Sequence, residues 1–226
     1  MRGLVIVFVI GCGRIGFDDP VTSKEPAAAI TVPQIATLLD TASTVTVDVA
    51  PTQAGDLLIV ATVSISAQTH VLAVVDDLGD HFTSAGITDV CDENHALGEL
   101  WFATAGASGT TTVSVMSSDN DQREVWLLEV AGVTSFDQIA KIDNATATTS
   151  VVAPSVSPDG YPAIVISELN DPSHIGDLAA GSPFMALPLV HGDDAAYAIV
   201  TTPGDYGAVW ANTVSGEYCG FTAAFH

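Results

Sequence analysis

The side chains able to do chemistry in this chain are carboxylates, six histidines and three cysteines, and their spacing limits what they can do. Asp76, Asp77 and Asp80 bracket Gly79 in one short segment. Such a group could offer oxygens to calcium, which takes about six to eight of them. The spacing is not that of an EF-hand loop, and acidic turns are ordinary between strands. Asp119 with Asp121, and Asp193 with Asp194, repeat the pattern more weakly. Cys91, Asp92, Glu93 and His95 put metal-binding residue types side by side. Zinc normally wants about four ligands, and no second CxxC or HxxxH cluster completes the set, so a surface loop is the expected role. Glu99, Glu124, Glu129, Glu168 and Glu217 lie in or beside strand-like runs. Glycoside hydrolysis needs two carboxylates facing each other at about 5 to 9.5 Å. No two of these glutamates share a close motif, and each is expected to face solvent. The chain has no GxSxG elbow and no P-loop, so no catalytic residue is assigned and no cofactor other than calcium is suggested.

The elements that would hold these groups are those of a soluble acidic domain. Of 226 residues, 27 are Asp or Glu against five Lys and Arg, a net charge of −22. Nucleic-acid binding requires a basic footprint that releases counterions, and no stretch supplies one. Hydrophobic residues make up 48% and charged residues 14%, enough apolar surface to offset the entropy of ordering. No run after the N-terminus has the roughly eighteen apolar residues of a spanning helix.

The N-terminus reads as an export signal: Arg2, an apolar run from Leu4 to Ile10, then small Gly11 before Cys12. Val9, Ile10, Gly11 and Cys12 resemble a bacterial lipobox. That resemblance implies cleavage before Cys12, a diacylglyceryl thioether on its sulfur and an N-acyl chain. Two or more chains give stable anchoring, at about 0.8 kcal/mol per buried methylene. Gly13 stands where an Asp would, in that class, imply retention at the inner membrane, so the resemblance implies outer-membrane sorting, on the periplasmic or cell-surface face. Residues 1–11 are then the signal peptide, 12–29 the lipidated cysteine with a tether lacking any period, and 30–226 a single domain. With Cys12 lipidated, Cys91 and Cys219 are left as an even pair in an oxidising compartment. A disulfide between them requires Cα atoms within about 7 Å, which spacing does not decide.

The domain reads as all-β, a two-sheet antiparallel sandwich with little or no helix. Ser43 to Val49 alternates, with Val45, Val47 and Val49 on one face. Gly55 and Asp56 turn the chain into Leu57 to Val63, an apolar run interrupted only by Thr62 and suited to a strand buried on both sides. Further strands are expected at Thr69–Val75, Glu99–Ala103, Thr110–Met116, Val125–Val130, Ala163–Leu169, Ala195–Thr201, Ala208–Asn212 and Tyr218–Phe225. Pro183 and Pro188 demote residues 184–189 to an edge or an irregular segment. Trp101, Trp126 and Trp210 fall within strand-like alternation and are expected in the core.

From Pro51 to Val133, the segments Ala54–Val60, Asp76–Phe82, Leu100–Ala103, Gly109–Val115 and Glu129–Val133 resemble a jelly-roll-like sandwich unit that recurs in secreted and surface bacterial proteins. Beyond Val133 the likeness is one of rhythm only. That resemblance implies a fold and no particular activity. The expectation is a lipid-anchored, non-catalytic module that binds or adheres to glycan or protein. The alternatives are a carbohydrate-active enzyme on the same scaffold and a structural envelope spacer.

Overall fold

Short β-branched runs separated by Gly, Asp and Pro turns pair antiparallel throughout the computed structural model, which describes residues 29–65, 69–87, 97–147, 150–170, 175–188, 194–212 and 216–226. Among these residues there is no helix, and so none long and apolar enough to cross a membrane. The strands are β1 (Thr31–Asp40), β2 (Thr44–Asp48), β3 (Leu57–Ser64), β4 (Val71–Asp76), β5 (Thr83–Ile87), β6 (Leu97–Thr104), β7 (Thr112–Ser117), β8 (Arg123–Ala131), β9 (Phe136–Ala147), β10 (Ser150–Val152), β11 (Ala163–Asn170), β12 (Ile175–Leu178), β13 (Met185–Ala186), β14 (Asp194–Val200), β15 (Val209–Asn212) and β16 (Gly216–Phe225).

The expected two-sheet antiparallel sandwich is present, and it is present twice. In the first half a five-stranded sheet, β1-β8-β3-β6-β5, faces a three-stranded sheet, β2-β7-β4. The order 1-8-3-6 opposite 2-7-4 is that of a jelly roll, an eight-stranded roll of two Greek keys. The second half repeats it strand for strand, β9-β16-β11-β14-β13 opposite β10-β15-β12. Registers agree as well. Leu58 lies opposite Glu129 and Gln34 lies opposite Glu129; in the second half Val165 lies opposite Ala224, and Gln138 opposite Ala224. The segment Val49 to Leu57 thereby corresponds to Val156 to Ile164, with Pro51 matching Pro158.

Each half closes a core of its own. Val45, Val47, Leu58, Val60, Val113, Val115 and Leu127 fill the first, and Val151, Val165, Phe184, Ala198 and Trp210 fill the second. A third core joins the two five-stranded sheets face to face. Leu57, Ile59, Trp126 and Leu128 from one sheet meet Ile164, Ile166, Phe221 and Phe225 from the other. Central strands β3 and β11 are therefore buried along their whole length on both faces. The stack has four layers and three interiors, and the two large sheets are its middle.

Position in the stack explains local departures from pattern. Pro33 sits in β1 because that strand is a sheet edge, and the register shifts between Thr31 and Gln34 to absorb it. Met185 and Ala186 form a two-residue edge strand between Pro183 and Pro188, as the prolines imply. Gly220 is required for a different reason: a Cβ there would lie 2.2 Å from the Glu168 carbonyl oxygen of β11.

Candidate functional site

The glutamates expected on solvent faces are inside. Glu99, Glu124, Glu129 and Glu168 are all buried, and only Glu217 of the five is exposed. The error has a physical source. Alternation assigns a residue to one of two faces, but in a four-layer stack both faces of the middle sheets are interior.

At one end of the first sandwich, Gly55 and Asp56 turn the chain into β3 and Glu129 of β8 reaches the same turn. Glu129 Oε1 accepts the Gln53 amide at 2.8 Å, and Oε2 accepts the Gln34 side-chain amide at 2.6 Å. Gln34 holds Ala50 by both its N–H and its carbonyl, each at 2.8 Å. The Asp56 carboxyl hydrogen-bonds Glu129. Burial first, then that hydrogen bond and the charge of Glu129, raise the Asp56 pKa above its ordinary value.

At the other end, Glu99 Oε1 accepts the Val71 amide at 2.7 Å and Oε2 accepts Trp101 Nε1–H at 3.3 Å. Its pKa is raised, because burial outweighs these hydrogen bonds and the charges of His70 and Arg123. Arg123 is wholly buried and donates from Nε to Ser64 Oγ at 3.1 Å. Burial disfavours its charged form, and Asp121 and Glu99 oppose that effect. Glu99 and Glu129 share a face of one sheet, yet Glu99 is level with Thr62 and Glu129 with Leu58. Four residues along a strand is about 13 Å, beyond the separation at which two carboxylates cooperate in glycoside cleavage.

Glu124 and Glu168 lie in the central interior instead. Glu124 alternates with Trp126 and Leu128, and Glu168 with Ile164 and Ile166, so both side chains point between the two large sheets. Cys219 points into the same layer from β16, where it is buried and disulfide-bonded. Inward placement of Cys219 matches the alternation with Phe221 and Phe225.

The aspartate turn is held together by hydrogen bonds. Asp76 Oδ1 accepts the amides of Leu78 and Asp80, and Oδ2 accepts the Thr110 hydroxyl at 2.7 Å. Asp77 accepts the amide and hydroxyl of Thr111, and the hydroxyl bond above all lowers its pKa. Asp80 accepts the Gly106 amide at 2.7 Å. Gly79 takes the left-handed φ of +91° that closes this turn. The three carboxylates thus fasten the β4 end to the 106–111 segment. No group of three or more His, Cys, Asp or Glu able to hold a metal ion occurs among the described residues.

Val9 to Cys12, Cys91, Asp92, Glu93, His95, His174, His191 and Asp193 lie outside the described residues. Trp126 and Trp210 are fully buried, as expected, and Trp101 is half-buried against the first core. The Asp56–Glu129 pair was not foreseen; a Gly-Asp turn before a strand and a glutamate within an apolar strand carry no shared sequence signal. The arrangement defines a duplicated jelly roll with acidic clusters built into its interiors. Comparison with family models, with curated proteins and with solved structures finds no match.

Proposed function

We propose that the chain is an exported, lipid-anchored bacterial envelope module, outer-membrane sorted through Cys12, that presents a double jelly roll for non-catalytic binding or adhesion to a glycan or protein ligand. One observation carries the non-catalytic reading: the glutamates that a hydrolase would use are buried within the sheet stack, and Glu99 and Glu129 stand too far apart to act together. The outward faces support it. Thr44, Thr46 and Asp48 of β2 are exposed, and the Thr46 and Ser114 hydroxyls meet at 3.2 Å on that face, a polar surface suited to display. The anchor rests on the Val9–Cys12 motif.

A glycan array on the lipid-free domain, run beside a glycoside-hydrolysis screen, tests the binding reading. Retained ligands without turnover are expected, and turnover abolished by Glu→Gln substitution would overturn it. Cys12→Ser is expected to abolish lipid labelling and release the protein from membranes. Retention of that variant in the membrane fraction would overturn the anchor.

A further inference from the structure

The two halves act as each other's control, because the same strands in the same register show which features the fold itself requires. Gln34 and Gln138 occupy equivalent places and clamp equivalent loop carbonyls, Ala50 and Ser157. The flanking sequence is shared too: Gln34-Ile35-Ala36 and Gln138-Ile139-Ala140. Next to the clamp the halves diverge. Where the first half places Asp56 and Glu129, the second places Ala163 and Ala224, both fully buried in its core. The jelly roll therefore forms without this acid pair, and the pair adds something that the alanines do not.

We propose that Asp56 and Glu129 form a proton-dependent latch on the 50–56 loop, closed while Asp56 carries its proton and loosened when Asp56 loses it. The geometry gives the mechanism. Glu129 spends its two oxygens on Gln34 and on the Gln53 amide, so it holds the β1 edge and the loop together. A protonated Asp56 donates its O–H to that carboxylate and completes the closed arrangement. Loss of the proton removes the donor and sets two negative charges against each other in a partly desolvated place. The raised pKa of Asp56 agrees with this order of events. Among the described residues, the elements packed around the pair bring no compensating charge to it. From β3 comes no titratable group, and from β1 the facing residue is Gln34. The 104–111 segment has none of its own, and Asp80 is bound to Gly106 there. On β2 the nearest is exposed Asp48, and β6 offers Glu99 only at the opposite end.

The test is amide hydrogen exchange of the whole chain from about pH 3 to about pH 8, a range that brackets ordinary carboxylates. Gln53 N–H, the donor to Glu129, reports the latch. Ala208 N–H, bonded to Ser167 Oγ in the second half, is the reference. Each unit by which Asp56 is raised biases the closed form about tenfold. The protection factor of Gln53 is therefore expected to fall with rising pH, by about tenfold for each unit by which Asp56 is raised, while that of Ala208 stays level. Asp56→Asn retains a donor without the charge and is expected to hold Gln53 protected throughout. Copying the second half, as Asp56→Ala with Glu129→Ala, is expected to leave a folded protein whose Gln53 is unprotected at every pH. Equal falls at Gln53 and Ala208, a level Gln53 in the wild type, or the wild-type fall persisting in Asp56→Asn would each overturn the latch.

Discussion

Trp126→Ala puts the central interior to the test. The indole is fully buried between the two large sheets, and its Nε1–H donates to the Pro188 carbonyl of the second half at 3.0 Å. Truncating a buried Trp costs about 3–5 kcal/mol through lost transfer energy and the cavity left behind. Pro188 is exposed, so its carbonyl turns to water and the lost bond adds at most about 1 kcal/mol. For a chain of this size each kcal/mol lowers Tm by about 2–4 °C, so a fall of about 6–24 °C is expected. The cavity sits in the core that both halves share, so both should unfold together. Trp101 reports the first half and Trp210 the second. Variants retaining one or the other permit urea melts followed by fluorescence half by half. Coincident midpoints, shifted equally by Trp126→Ala, are expected. Separate midpoints, or a loss below about 1 kcal/mol, would refute the view that the central core makes one cooperative unit of the stack.

Gly220→Ala should cost about 3 kcal/mol, since the added methyl meets the fixed Glu168 carbonyl oxygen at 2.2 Å as well as the Leu169 side chain; thermal melting checks it. Asp77→Asn gives a pH signature. The Asp77 pKa is lowered in the folded state, so its stabilisation is present above the unfolded value and lost as pH falls. The wild type should exceed the variant in Tm at neutral pH and lose that margin in acid, and a margin that grows in acid would contradict it. Because the carboxylates of Asp76, Asp77 and Asp80 already accept backbone and hydroxyl donors, millimolar calcium should leave Tm unchanged; a rise would show that the turn opens to take the ion. Non-reducing peptide mapping of the protein should find Cys219 joined to Cys91, and a free thiol at Cys91 would exclude that bond.

The strands easiest to read were those buried on one or both faces. Leu57 to Val63 and Ala163 to Leu169 are mostly apolar runs, and each is the centre of a five-stranded sheet. Edges were harder. β1 contains Pro33, and β9 carries exposed Lys141 and Asp143, because an edge strand is covered on one side only and its composition drifts towards that of a loop. The likeness of the second half to the first was hidden for the same reason. Its topology is identical, but β12 and β13 are short and its turns carry different residues.

Sequence alone determined the all-β class, the turn at Asp76 to Asp80 and the inward side of Cys219, since each follows from alternation or turn chemistry. Tertiary structure alone decided that there are two jelly rolls, that their large sheets meet face to face, and that Asp56 meets Glu129. Those facts depend on which sheet faces which. Strand periodicity distinguishes the two faces of a strand, but it cannot say whether the second face meets water or another sheet.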